Sequence, residues 1–588
     1  MTNNFSIVLK YILKSKKEFF TAVFLLILSS AFTLSIPLIS KTVINEITLG
    51  RLDFSKLILW FLMAIACASL GSVFEGVSRY FTSSAGTKAQ YYIRKDLYES
   101  INNQSFGFFD NKEIGDLVSR TTSDIENANQ VFTRGVITFI SAIITLIGVM
   151  IGTMLTINSS IYVVLISLFV YFLIIFFSYN KLSKPFISSR ENFGKLTTII
   201  RENLIGASVV RIFNSEKREL IKFNKKNEAF KKDTVEAIKW QSIMVYSTRI
   251  LVNILIVFSL IYGGYKVIRN ESDIGTLLAF IAYMAMLAMP LNNLSQFIID
   301  FVQSGASLKR VNEIIQTAAD IKDSSKAKIH AIKGDVEFKN VSFGYMKESL
   351  VLKNINFEAL AGQTISVIGT TGSGKTSLIN LIPRYYDATK GSILIDSINV
   401  KNYNISNLRS QIGFCSQEVF LFNISIADNI RFGKPAASMD EVISAAKHAN
   451  IHDFIMTLPD SYETIVGERG STLSGGQKQR ISIARALILN PKILILDDST
   501  SAVDTETEYK IQKALEYLMK NRTSFVITQR VSNLKNANKI ILMDKGEIIG
   551  LGNHEELYEK NMIYTNIYNT LNQKQKEAEL ELKKGVDK

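Results

Sequence analysis

At 588 residues the chain is long enough for two or more domains. Hydrophobic residues make up 47% and charged residues 20%, a mixture that points to a membrane part joined to a water-soluble part. The net charge of +14 suits either nucleic acid or loops lying against an anionic cytoplasmic leaflet, and with no aromatic-plus-basic motif of the RNA-binding kind, nucleic acid is set aside as a partner. Cys67 and Cys415 fall in different halves, which excludes a disulfide framework. No cleavable signal peptide is expected, because the first apolar run lacks a small-residue cleavage site.

Six apolar segments follow one another: Phe19 to Ser40, Leu57 to Val77, Val136 to Ile157, Ile161 to Tyr179, Ile243 to Ile268 and Ile274 to Phe301. Each reaches the ~20 residues that a helix needs to cross ~30 Å of hydrocarbon. Lys10, Lys14, Lys16 and Lys17 precede the first, which places the N-terminus inside. The connections after spans one, three and five are short. Those after spans two and four are long and, in the second case, rich in Lys and Arg ("SEKRELIKFNKKNEAFKKD"), so both belong in the cytoplasm. Their arms read as helical, and an arm of ~25 residues extends about 37 Å. Rigid levers are therefore expected to project below the membrane. Glu75 and Arg79 are spaced to pair on one helix face, while Arg249, Asn292, Asn293 and Gln296 are polar residues inside spans five and six. Pro290 is expected to kink span six, with a translocation pathway along that polar face.

From about Gly334 the pattern changes. "DVEFKNVSFGY" alternates as a half-buried strand does, and "QTISVIG" is a second strand running into "GTTGSGKTS", Gly369 to Ser377. Strand, loop and helix are the context in which G-x-x-x-x-G-K-[ST] binds phosphates. Gly369, Gly372 and Gly374 let backbone N–H groups curl round the anion, with Thr370, Thr371, Ser373 and Ser377 in the same loop and helix start. Lys375 is expected to reach the β- and γ-phosphates of ATP, and the Thr376 hydroxyl to ligate Mg²⁺. Tyr345 lies shortly before, where its ring can stack on adenine. Gln417 follows another strand and is a candidate for Mg²⁺ or the attacking water. "LSGGQKQR", Leu473 to Arg480, opens a second helix whose start, Ser474, Gly475, Gly476 and Gln477, forms another anion-binding N-terminus. One nucleotide rarely needs two such helix starts. Two copies placed head to tail use both. The apolar run of "LILDD" then ends in Asp497, expected on Mg²⁺, and Asp498.

In this order Tyr345, "GTTGSGKT", Gln417, "LSGGQ", "LILDD" and "SAVD" resemble the cassette of ATP-binding-cassette (ABC) transporters. Six preceding spans with long cytoplasmic connections resemble a half-transporter of the exporter type. "FFDNKEIGDLVSRTTSD" and "ENLIGASVVRIFNSEKRE" resemble that family's two intracellular loops, and "VGERGSTLSGGQ" carries the segment that touches them. The resemblance implies a six-helix transmembrane domain followed by an α/β P-loop ATPase domain with an antiparallel β subdomain and a helical subdomain. The expected division is a cytoplasmic N-terminal helix over 1–18, the membrane domain over 19–305, a linker over 306–333, the nucleotide-binding domain over 334–572 and a charged tail over 573–588. The expected place is the bacterial cytoplasmic membrane, with both termini and the nucleotide-binding domain in the cytoplasm.

Two positions depart from the family pattern. The residue after the Mg²⁺ aspartate is usually a glutamate that polarises water; Asp498 sets its carboxylate back by about one C–C bond, roughly 1.5 Å. After the strand "SFVIT" the family has a histidine, and this chain has Gln529, which donates a hydrogen bond but carries no charge. The four histidines, His330, His448, His452 and His554, lie elsewhere. General-base help is worth 10²–10⁴-fold and depends on reach, so the chain's own site is expected to bind ATP and hydrolyse it slowly. The expectation is a degenerate-site half of a heterodimeric exporter of lipophilic small molecules (drugs or lipids), whose partner half-transporter supplies the Glu and His. The alternatives are an ATP-gated channel or regulator, or a lipid or peptide exporter working as a homodimer.

Overall fold

The structure is a computed structural model that describes all residues except 1, 51–52, 158–160, 325–326, 347–348, 498–504, 529 and 587–588. It divides into two units: 1–103 with 112–318, and 104–111 with 319–588.

Among the described residues, the first unit holds six helices long and apolar enough to cross a membrane: Ser6–Thr48, Phe54–Asn102, Ile114–Thr156, Ile161–Ile205, Glu216–Ile268 and Ile274–Val302. They outrun the apolar segments because Lys- and Glu-bearing arms that leave the hydrocarbon remain helical, with few glycines to break them. The first span lies along the second and the fourth along the fifth. Phe61, Phe169, Phe172, Phe176 and Phe177 turn more than half of their surface outward, a pattern suited to lipid tails and not to water. Inside, Tyr171, Phe280, Tyr283 and Leu291 are buried in one core, where the Tyr171 hydroxyl donates to the Leu291 carbonyl at 2.7 Å and the Tyr283 hydroxyl to the Leu34 carbonyl at 2.8 Å. The helix of span six is interrupted at Leu287, between Ile274–Met286 and Ala288–Gln316. Pro290 explains the position: its ring has no N–H to offer and crowds the carbonyl four residues back, that of Met286.

The third span is not uniformly α-helical. Arg120–Asp124 and Val131–Gly135 are π-helical turns, a widening that frequently marks functional sites. The first carries a charge cluster packed against the helix Ala288–Gln316. Asp124, 3% exposed, accepts from Ser307 Oγ at 2.8 Å and from Arg310 Nε at 2.8 Å. Arg120 donates to the Arg310 carbonyl at 3.0 Å and pairs with Asp116 at 2.9 Å.

The second unit contains two sheets. The strands in chain order are β1 (Val336–Phe343), β2 (Leu352–Ala359), β3 (Thr364–Gly369), β4 (Lys390–Ile395), β5 (Ile398–Asn399), β6 (Ile412–Cys415), β7 (Ile493–Asp497), β8 (Thr523–Ile527), β9 (Lys539–Asp544) and β10 (Glu547–Gly552). An antiparallel sheet runs β2-β1-β4-β5, and a central sheet runs β10-β9-β3-β8-β7-β6, parallel from β9 to β6. β7 and β8 are buried on both faces, as parallel strands are. Ile493, Ile495, Phe525 and Ile527 point into a core shared with the antiparallel sheet and the P-loop helix. Leu494, Leu496 and Val526 point the other way, into a core made with the helices Met439–His448, Gly475–Ile488 and Thr505–Met519. The chain thus folds as a six-span membrane domain fused to a P-loop domain with an antiparallel β subdomain and a helical subdomain.

Arg310→Ala is expected to leave the buried Asp124 carboxylate with Ser307 as its remaining side-chain partner and to cost roughly 3 kcal/mol. A thermal unfolding scan of the purified protein reads this as a lowered midpoint, with Arg310→Lys in between. An unchanged midpoint would mean that water already solvates Asp124.

Candidate functional site

Four neighbouring parallel strands, β3, β8, β7 and β6, end on one edge of the central sheet. Ligands of open α/β sheets bind outside the carboxyl ends of the strands, and the chemistry-bearing residues are gathered there. Gly369 ends β3 and begins the loop to Lys375, Asp497 ends β7, and Gln417 lies exposed two residues beyond β6. Cys415 and Leu496 are register partners, so Gln417 and Asp497 leave adjacent strand ends.

The loop between β3 and its helix needs left-handed backbone at Gly372 (φ +80) and Gly374 (φ +100), conformations that a Cβ disfavours. Ser373 is buried beneath it, and its carbonyl accepts from the Gly546 N–H at 3.2 Å. Thr370 Oγ1 donates to Asp544 at 3.4 Å, while Thr371 stays exposed. The helix after the loop, Lys375–Asn380, is only six residues long, so anion binding leans on the loop amides and Lys375 more than on a long macrodipole. The Lys375 ammonium folds back onto the carbonyls of Gly369 (3.0 Å) and Thr370 (2.8 Å). Burial pulls its pKa down, and nearby Asp497 works against that pull. Thr376 Oγ1 donates to Asp497 Oδ2 at 3.5 Å. One hydroxyl and one carboxylate side by side fit Mg²⁺, which takes one or two protein oxygens and fills its octahedron with phosphate and water.

Tyr345 shares a hydrogen bond with Ser377 Oγ at 3.0 Å, packs at steep angles against Phe343 and Tyr386, and is 48% exposed beside the loop. At the second helix start, Ser474 caps the helix Gly475–Ile488. Its Oγ accepts from the Gln477 N–H and the Gln477 side chain accepts from the Ser474 N–H at 2.8 Å, a capping box that holds the start rigid. Gly475 is exposed and a Cβ there would meet nothing, while Gly476 is buried. The structure brings together the loop, Thr376, Asp497, Tyr345 and the strand end before Gln417. It does not join the Ser474 helix to them, since that helix packs on the opposite face of the central sheet. Asp498 and Gln529 lie outside the described residues.

Sequence reasoning missed a docking site beside the loop. The segment 104–111, which comes after the second span, belongs to the second unit. Phe106 stacks on Tyr385 at 4.1 Å, and the Tyr386 hydroxyl donates to Asp110 at 2.6 Å. Burial and the Asp110 carboxylate both raise the Tyr386 pKa, so the phenol stays a donor. The adjacent tyrosines, shortly after the P-loop helix, were the available signal.

Residues 19–291 match the model of the ABC transporter transmembrane region and residues 352–501 that of the ABC transporter. The chain is 39% identical to the ABC transporter ATP-binding protein YknU of Bacillus subtilis (strain 168), over 94% of this chain and 95% of that protein. It is 36% identical to the ATP-dependent lipid A-core flippase of Syntrophus aciditrophicus (strain SB), over 92% and 90%. A solved bacterial Atm1-family ABC exporter with ATP bound superposes with a TM-score of 0.85 at 25% identity, covering 94% of this chain and 98% of that one. These likenesses overturn the expectation that a different half-transporter supplies the Glu and His: this one chain matches an Atm1-family exporter nearly end to end. The physical reason is that it carries both a complete P-loop and a complete signature, all that two identical copies need to close two equal sites.

Phe106→Ala removes the ring stacked on Tyr385. Stimulation of ATP hydrolysis by a lipophilic compound should fall several-fold while ATP affinity persists, read by ATPase and nucleotide-binding assays on the same preparation. A parallel loss of both would instead assign Phe106 to the stability of the nucleotide domain.

Proposed function

The chain belongs to the ABC transporters, as an exporter with membrane and nucleotide-binding domains fused in one multi-pass polypeptide, and from this we propose that two copies form a homodimer that exports lipophilic compounds, lipids among them, by alternating access. The observation that carries the pairing is the placement of the two phosphate-binding helix starts. The P-loop helix and the signature helix pack on opposite faces of β7 and β8, so a chain cannot fold its own signature over its own P-loop without breaking its central sheet. A second copy, turned head to tail, offers its signature without any such cost. The exposed tip between spans four and five supports the same arrangement: Ile205, Val209, Ile212 and Phe213 are largely bare, with Ile212 77% exposed.

In this reading Lys375 and the amides of Gly369 to Gly374 hold the β- and γ-phosphates, and Tyr345 lies against adenine. Thr376 and Asp497 would hold Mg²⁺, which when bound supplies positive charge against the phosphates, and Gln417 would reach the ion or the water. Ser474, Gly475, Gly476 and Gln477 of the other copy close over the γ-phosphate. Closure of the cassettes is carried to the membrane helices through the segment docked on Tyr385 and Tyr386. Both sites of the homodimer carry Asp498 and Gln529, so we infer slow turnover at each: the aspartate retreats from the water and the glutamine carries no charge.

Co-expression of two differently tagged versions of this chain tests the pairing. Each tag should bring down the other at equal amounts, and recovery of each tag alone would refute the homodimer. Asp498→Glu should raise the ATP turnover number by about tenfold or more. An unchanged rate would show that the shorter acid already reaches the water.

A further inference from the structure

The membrane unit contains a cavity of about 1080 Å³ lined by residues of spans one, two, three and six, comparable to the pockets that take drug-sized ligands. Its walls combine two chemistries. Leu26, Leu34, Ile137, Met286 and Met289 are apolar, whereas Ser and Thr hydroxyls, Asn129 and Asn293 are polar. Three charged side chains also line it: Glu75, Arg79 and Arg134. Arg79 is tied to Glu75 at 2.7 Å. Arg134 is exposed, and among the described residues no carboxylate lies within ion-pair distance of it, although Asp300 acts on it through space. Two guanidiniums against one carboxylate leave the lining with one net positive charge.

Arg134 belongs to the second π-helical turn, Val131–Gly135. A turn with one residue more than the α-helix rotates the remainder of the span by about 100°, one residue's share of 3.6. Gly86 of the second span lies directly against the backbone of Phe132 and Thr133, with 2.6 Å from a Cβ built there to Thr133 Cα. The close approach presses this widened turn against span two, with Arg134 on the cavity wall. Arg134 stands two residues before the apolar run of span three, and Arg79 two residues after that of span two. Both mark the cytoplasmic edge of the hydrocarbon, the level of lipid headgroups. An ionisable side chain held at that level is a candidate functional site, with Asp300 the nearest acidic influence on it.

We propose that this cavity binds amphiphiles with an anionic headgroup, the anion on Arg134 and the hydroxyl-rich wall, and the chain against the apolar wall. This rests on the reading of the protein as an exporter of lipophilic compounds and narrows its substrate class. Two copies would present two Arg134 guanidiniums to the pathway. Hydrogen bonds to charged groups discriminate strongly where water is scarce, so the headgroup sets selection while the chain sets overall affinity.

Equilibrium binding to the full-length protein in phosphatidylcholine nanodiscs tests this, with empty nanodiscs subtracted. The probes are radiolabelled dodecyl phosphate, dodecylphosphocholine and dodecyltrimethylammonium, with inorganic phosphate as competitor. Dodecyl phosphate should bind saturably and roughly tenfold to a hundredfold tighter than dodecyltrimethylammonium, with inorganic phosphate unable to displace it at matched concentration. Arg134→Gln should abolish the preference and Arg134→Lys retain much of it. Equal affinity for the three headgroups, or a preference that survives Arg134→Gln, overturns the anionic class and leaves the export reading standing. Displacement by inorganic phosphate overturns it in favour of a free-anion site. Absence of saturable binding by all three overturns both.

Discussion

Everything at the nucleotide end depends on the alternation of side chains along two short strands. In Ile493–Asp497 and Thr523–Ile527 successive residues face opposite sides of a sheet that is buried on both. One set seats the P-loop helix and the antiparallel sheet; the other seats the helical subdomain with the signature. A one-residue slip of either strand would exchange the two cores, so the register is held by both at once. The same alternation keeps the two halves of a composite site apart within a chain. In the proposed homodimer, ATP would therefore be bound between two copies of the chain.

At the membrane end, the charge cluster under the third span plays an equivalent part. Asp124, Ser307, Arg310 and Arg120 join two helices beside the buried apolar side chains of Ile125, Leu308 and Val311. Removing one partner from such a cluster strands a buried charge, whereas replacing the whole of it by apolar residues is often neutral. The π-helical turns on either side of the six residues Ile125–Gln130 link that cluster to the wall of the cavity. Cavity and cluster therefore share one piece of backbone.

Much of this was legible in the sequence, for physical reasons. Hydropathy reports the lipid-crossing parts of helices directly, and a P-loop has a spacing dictated by phosphate geometry. The capping box at Ser474 and Gln477 is written in adjacent letters. The break in span six was legible as a consequence of Pro290, although its place, Leu287, is set by the carbonyl that the ring crowds. Features that depend on distant partners were hidden. Nothing near Phe106 announces Tyr385, and no local preference marks Arg120–Asp124 or Val131–Gly135 as π-helical. Asp498 and Gln529 point to a different partner chain, but the intact P-loop and signature, with the end-to-end match to an Atm1-family exporter, point away from one.

The helix Glu216–Ile268 has 53 residues without interruption, and at 1.5 Å per residue that is about 80 Å of rod. Only about 30 Å of it can lie in hydrocarbon, so one stiff body is anchored in lipid and works in water. A bilayer a few ångströms thinner or thicker is met by tilting such a helix. A tilt of about 5° at one end of an 80 Å rod displaces the other by roughly 7 Å, the width of a side chain. A change of tilt within the hydrocarbon is thereby carried, undiminished by any break in the helix, to its end in water.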